Sequence, residues 1–112
     1  DTTNATQAYY STLLHELTHW TGNKIRLDRT KGKRFGDTDY AFEELVAELG
    51  AAFLCADLGI ENEPRLDHAQ YVASWLKALK NDKQAIFSAA SYASKAMAYL
   101  KTLDVYPMEI AA

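Results

Sequence analysis

The feature that most constrains this chain is the pentad HELTH at residues 15–19. It holds two histidines four positions apart, and residues at that spacing lie nearly above one another on an α-helix. Both imidazoles, of His15 and His19, can then reach one ion at Zn–N distances of about 2.0–2.1 Å. Glu16, beside the first histidine, is predicted to act as a general base on a water activated by the metal.

A third ligand must come from elsewhere, because catalytic zinc usually has three protein ligands and one open position for water. Glu44 and Glu48 stand one turn apart in a second apolar segment. We predict that Glu44 is the third ligand and that Glu48 accepts the free N–H of a ligand histidine, which orients the ring. Glu43 is rotated by about 100° from Glu44, so helical phase favours Glu44.

Negative charge that develops on a carbonyl oxygen needs a hydrogen-bond donor besides the metal. His68 and Tyr40 are candidate catalytic residues of this kind, because each is near the start of a predicted helix, where a side chain can face a cleft. Tyr9, Tyr10 and Tyr92 stay open as alternatives. The competing interpretation of His68 is a helix residue without catalytic duty, and that of Tyr40 is core packing.

Apolar residues recur at helical spacing in four segments, and no segment has the alternation of a strand. The predicted helices cover about residues 6–21, 39–58, 68–80 and 83–103. We predict a mainly α fold of about four helices, with little or no sheet, in a single domain over residues 1–112.

Large side chains are expected to define the buried faces of these helices. Trp20 and Trp75 are predicted core residues, and Tyr71 and Phe87 are expected to face the core from the third and fourth helices. Pro107 marks a tail that is predicted to be irregular or one short strand.

Composition fits one packed domain, since 48% of the 112 residues are hydrophobic. The formal net charge of −3 argues against nucleic-acid binding by the domain as a whole. The single cysteine, Cys55, is expected to be buried, and the lack of an internal disulfide suits a reducing cytosol. The sequence has neither a signal-peptide pattern nor an apolar stretch of membrane-spanning length. We expect Asp1 to be a cut point inside a longer protein.

The segment 24–34 carries six basic residues and one acid. It is predicted to be a loop with a short extended piece around residues 24–27. A solvated loop is the favoured interpretation, and contact with nucleic-acid phosphates or an acidic partner is the alternative.

The run HELTHWTG, followed by FGDTDYAFEELVAELGAAFL, closely resembles the C-terminal domain of the ArdC/TraC-type antirestriction proteins of plasmids, phages and related mobile elements. The later run YVASWLKALKNDKQAIFSAASYASKAMAYL is also similar to that family, so the resemblance covers about residues 9–103. It implies a zincin-like, gluzincin-type metallopeptidase domain whose cofactor is Zn²⁺. The gluzincin motif of a Glu ligand, followed four residues later by an acid, falls on Glu44 and Glu48. Thermolysin-type enzymes usually have Asp at the second of these positions.

The resemblance also implies a longer protein in the cytoplasm of a bacterial host, with an N-terminal domain that binds single-stranded DNA. Our first hypothesis is a zinc metallopeptidase that hydrolyses a peptide or protein substrate, with Glu16 as general base. The alternative is a zincin-fold binding module that contributes to DNA protection against host restriction without peptide cleavage, reaching nucleic acid through the other domain or the loop 24–34. A purely structural zinc site is disfavoured, because such sites usually have four protein ligands.

Overall fold

The computed structural model describes residues 2–29, 37–60 and 66–111, with side chains for residues 5–29, 38–60 and 69–103. Its four helices are α1 (Thr2–Thr21), α2 (Asp37–Leu58), α3 (Leu66–Ala78) and α4 (Lys83–Ala111). Within these ranges there is no strand, so the predicted mainly α class with about four helices is confirmed. None of the helices in the described ranges is both long and apolar enough to cross a bilayer.

Helix α2 is the central element of the fold. It packs against α1, α3 and α4, and α1 also contacts α4. One buried cluster joins α2 to α3, to the turn after α3 and to α4, and it consists of Ala41, Leu45, Val46, Trp75, Leu79, Ala89 and Ala93. A second buried cluster joins α2 to α1, and it consists of Leu14, Ala51, Leu54 and Cys55. The burial predicted for Trp75 and Cys55 is therefore confirmed.

The buried face of α4 is a stripe of small residues. Ala89, Ala93 and Ala96 are fully buried, and their spacing of four and three places them on one side of the helix. Because alanine is small, this stripe lets two helices approach closely. Phe87 lies about 200° around the helix from Ala89, so its side chain faces solvent when the alanines face the core. The prediction that Phe87 faces the core is wrong, because 74% of the residue is exposed.

Two other aromatic predictions fail for local reasons. Tyr71 is exposed and stacks on the outer side of the buried Trp75 ring, at a centroid distance of 6.1 Å. Trp20 is 42% exposed, and the guanidinium carbon of Arg26 lies 3.8 Å from its ring centroid. Each of these rings is covered on one face by a neighbouring side chain instead of by the core.

Two predicted segment boundaries also differ from the structure. Helix α4 continues through Pro107 to Ala111, where an irregular tail or a strand was expected. Residues 24–27 form turns instead of an extended piece, since Arg26 N donates to Asn23 O and Leu27 N donates to Thr21 O.

Gly50 allows α1 to lie close against α2. A Cβ atom at position 50 would lie 2.5 Å from Thr18 Cγ2 and 2.7 Å from Thr18 Oγ1. Thr18 is fully buried and stands between the two histidines of the HELTH pentad. The spacing between the pentad and α2 therefore depends on the absence of a side chain at Gly50.

We expect Gly50→Ala to lower the free energy of unfolding by about 1–3 kcal/mol, the usual effect of overpacking a filled interior. Urea unfolding followed by circular dichroism measures this change. Thr18→Ala removes both of the atoms that a Cβ at position 50 would crowd. In the Thr18→Ala protein, the loss of stability caused by Gly50→Ala should therefore be smaller than in the wild type, by at least about 1 kcal/mol. An equal loss in both backgrounds would show that crowding at Thr18 is not the cause.

Candidate metal centre

The second half of α1 faces the first half of α2, and five half-buried polar side chains meet between them. His15 and His19 come from successive turns of α1. Glu43, Glu44 and Glu48 come from α2. The two helices pack closely beside Gly50, where an added Cβ atom would lie 2.5 Å from Thr18 Cγ2.

Three residues of this group bring donor atoms to one point. His15 Nε2 lies 3.2 Å from His19 Nε2 and 3.2 Å from Glu44 Oε2, and His19 Nε2 lies 3.1 Å from Glu44 Oε1. Ligands at about 2.0–2.1 Å from a tetrahedral ion are about 3.3 Å apart. The three side chains therefore fit a single divalent ion, and in the described part of the chain no other group of His, Cys, Asp and Glu has this arrangement.

The other ring nitrogen of each histidine is held by a carboxylate. His15 Nδ1 lies 3.0 Å from Glu48 Oε2, and His19 Nδ1 lies 2.8 Å from Glu43 Oε2. An ionised carboxylate only accepts hydrogen bonds, so each Nδ1 must donate, and in a neutral ring Nε2 then carries a lone pair. Both Nε2 atoms lie 3.1–3.2 Å from an oxygen of the Glu44 carboxylate, and two imidazole nitrogens beside a carboxylate are a set of donors suited to a cation.

The surrounding carboxylates shift two pKa values. Burial would lower the pKa of His15, but the hydrogen bond and charge of Glu48, together with Glu44, raise it above its ordinary value of 6.5. A proton and a metal ion therefore compete for this ring. Burial would raise the pKa of Glu43, but hydrogen bonds from His19 and Arg29 lower it to about 2. Glu43 is thus an ionised acceptor at neutral pH.

The contact of Glu43 with His19 was missed by the sequence analysis, which treated this acid as turned away from the site. Glu48 contacts one ring and the long side chain of Glu43 reaches the other. The adjacent acids at positions 43 and 44 were the available signal.

Arg29 was also missed, because it belongs to the segment 24–34 that was interpreted as a solvated loop. Its side chain is only 4% exposed and forms an ion pair with Glu43. Arg26 lies against Trp20, while Lys24 is exposed. The basic residues of positions 31, 33 and 34 lie outside the described residues. The interpretation as a uniformly solvated or phosphate-binding loop is therefore wrong for Arg29.

Two of the three predicted catalytic side chains, those of Glu16 and Tyr40, lie in the part of the chain whose side chains the structure describes. Glu16 is exposed and lines, with His19 and Glu43, an open cleft of about 450 Å³, which is within the size range of small-molecule sites. Tyr40 stands in the first turn of α2, one turn before Glu44, and is 61% exposed. His68 belongs to the first turn of α3, but its side chain lies outside the described residues. The roles of Tyr40 and His68 stay predictions.

Known proteins are similar to this chain in sequence. A family model described as a zincin-like metallopeptidase matches residues 1–92. The chain is 54% identical over 88 residues to the uncharacterized protein y4eC of Sinorhizobium fredii, covering 79% of this chain and 29% of that protein. It is 52% identical over 87 residues to the DNA primase TraC of Escherichia coli, covering 78% of this chain and 8% of that protein.

A solved structure has the same architecture. It is the Mn(II)-bound crystal structure of the antirestriction ArdC protein from the R388 plasmid, with 53% sequence identity and a TM-score of 0.71. The match covers 87% of this chain and 36% of that chain. The present chain thus spans only between 8% and 36% of the length of these relatives.

Proposed function

Because the chain belongs to the zincin-like metallopeptidase family, we propose that it is a metal-dependent peptidase domain acting on a peptide or protein substrate. The observation that carries the proposal is the set of contacts of 3.1–3.2 Å among His15 Nε2, His19 Nε2 and the Glu44 carboxylate. Three protein ligands leave the fourth position of a tetrahedral ion open, which is the arrangement of catalytic zinc sites.

We propose Zn²⁺ as the working ion. Two imidazole nitrogens and one carboxylate oxygen are a common donor set for catalytic zinc, and such sites bind Zn²⁺ more tightly than Mn²⁺. Mn(II) is the ion named for the ArdC structure, so it is the natural competitor in any comparison. A bound ion of this kind would supply Lewis acidity, which polarises a carbonyl and lowers the pKa of bound water to about 7.

The residues of the chain have separate tasks in this proposal. Glu16 takes a proton from the attacking water and passes it to the leaving amine. Glu43 and Glu48 fix the orientation of the two imidazoles through Nδ1. Tyr40 and His68 are the candidates for donating a hydrogen bond to the oxyanion that forms on the substrate.

We further propose that this domain serves an antirestriction protein in the bacterial cytoplasm, where incoming DNA meets host restriction. The support is the 53% identity to the antirestriction ArdC protein. Nucleic-acid contact in this proposal belongs to parts of the longer protein outside this chain. The net charge of −3 and the intramolecular contacts of Arg26 and Arg29 agree with that division of tasks.

Removal and replacement of the metal test the proposal. Purified protein loaded with Zn²⁺ or Mn²⁺ is incubated with a mixture of unstructured peptides, and the products are identified by mass spectrometry. We expect one metal ion per chain by elemental analysis, and cleavage that a chelator abolishes and added Zn²⁺ restores. Failure to bind either ion would refute the metal centre. Stoichiometric binding without cleavage of any peptide would refute the peptidase activity alone.

A further inference from the structure

Arg29 connects the two helices that carry the metal centre. Its Nε donates to Glu43 Oε1 at 2.9 Å and its Nη2 donates to Glu43 Oε2 at 3.1 Å. On the other side, Nη2 donates to Thr18 O at 2.6 Å and Nη1 donates to Thr21 Oγ1 at 2.8 Å. The guanidinium group therefore binds the carboxylate of α2 with one edge and the end of α1 with the other.

The forked contact fixes the carboxylate of Glu43 in orientation as well as in position. Both of its oxygens are engaged by one planar guanidinium group, a geometry that a single point charge cannot impose. The same Oε2 atom accepts the hydrogen bond from His19 Nδ1 at 2.8 Å. A Glu43 side chain that cannot rotate leaves the His19 ring one favoured orientation, with Nε2 toward His15 and Glu44.

The turn after α1 is shaped to receive the guanidinium group. Gly22 accepts a hydrogen bond at its carbonyl from Arg29 N at 3.0 Å. A Cβ atom at position 22 would lie 2.7 Å from Arg29 Nη2 and 2.9 Å from Arg29 Cζ. An alanine there would displace the end of the Arg29 side chain, because that end moves more easily than the backbone.

From these contacts we propose that Arg29 is a positioning residue of the metal centre. It holds Glu43, and through Glu43 it holds the ring of the ligand His19. The inference rests on the proposed function, since it assumes that His15, His19 and Glu44 bind a metal ion. Arg26 is the matched comparison, because it belongs to the same turn and donates to the carbonyl of Trp20 at 2.7 Å, while its guanidinium group stacks on the Trp20 ring.

The test measures affinity for Zn²⁺ by competition with a chromophoric chelator, together with the absorption spectrum of the Co²⁺-loaded protein. Loss of a group that orients a ligand typically weakens metal affinity about 10- to 100-fold, and we expect a loss of that size for Arg29→Ala. Arg29→Lys and Gly22→Ala should give smaller losses, and all three should shift the Co²⁺ spectrum. Arg26→Ala should match the wild type within about twofold.

A double-mutant cycle separates positioning from a general loss of structure. If Arg29 acts through Glu43, Arg29→Ala with Glu43→Ala should lose no more affinity than the larger of the two single losses. Circular dichroism of the helices shows whether each variant is folded. If Arg29→Ala does not fold, the Zn²⁺ affinities of Arg29→Lys and Gly22→Ala test the inference in its place. The inference would be overturned if the losses of affinity in the double mutant were additive. It would also be overturned if Arg29→Ala, Arg29→Lys and Gly22→Ala all bound Zn²⁺ as tightly as the wild type. Absence of Zn²⁺ binding by the wild type would instead refute the proposed function.

Discussion

Glu16→Gln should reduce the rate of peptide cleavage by about 10²- to 10⁴-fold, the usual contribution of a general base. The amide keeps the size of the side chain but cannot take up a proton at neutral pH. Zn²⁺ affinity should stay within about twofold of the wild type, because Glu16 is exposed in the cleft and is not one of the three converging donors. A fluorogenic peptide assay and chelator competition measure the two quantities.

A matched control removes a carboxylate elsewhere on the surface. Asp57 of α2 forms an exposed ion pair with Lys101 of α4 at 3.2 Å. The Asp57→Asn protein should retain the full cleavage rate. Undiminished cleavage by Glu16→Gln would remove Glu16 from the chemistry. The same substitution is informative in the longer antirestriction protein that we propose to contain this domain. If Glu16→Gln abolishes cleavage there but leaves DNA protected, protection does not require peptide hydrolysis, and the domain works as a binding module.

The part of the centre that could be predicted from sequence is the part fixed by helix geometry. Residues four apart share one face of a helix, so the spacing in HELTH and in EELVAE predicted that His15 and His19 would meet Glu44 and Glu48. His15 lies within hydrogen-bond distance of His19, Glu44 and Glu48, and His19 lies within that distance of Glu44. No knowledge of the loops was needed for this, because each helix carries its own pair.

The remainder depends on contacts that spacing along one helix does not determine. Arg29 reaches Glu43 only because the turn after α1 folds back on the helix end, and the sequence of that turn resembles any solvated basic loop. The buried face of α4 was misjudged for a related reason. The large apolar side chain of Phe87 made it the expected core residue. Close packing of α4 against α2 instead places Ala89 and Ala93 at the interface, because their small side chains let the two helices approach.

Glu44→Gln should weaken Zn²⁺ binding by about 10²- to 10³-fold. The binding free energy of a four-ligand structural zinc site is about 10–16 kcal/mol, so one ligand accounts for roughly 3–4 kcal/mol of it, and each 1.4 kcal/mol is a factor of ten. The neutral amide also removes the negative charge that faces both Nε2 atoms at 3.1–3.2 Å. Chelator competition at neutral pH measures the loss.

Glu48→Gln is the control that distinguishes a metal ligand from a residue that only orients a ligand. Glu48 and Glu44 stand one turn apart on the same helix and both contact His15, but Glu48 bonds Nδ1 and Glu44 faces Nε2. A carboxylate that only orients a ligand contributes about 10- to 100-fold to metal affinity, so the loss of affinity in Glu48→Gln should be about tenfold smaller than the loss in Glu44→Gln. Asp57→Asn, which removes an equal charge from α2 without touching either histidine, should leave affinity unchanged. If Glu44→Gln binds Zn²⁺ as tightly as Glu48→Gln does, Glu44 does not coordinate the ion and the proposed ligand set is wrong.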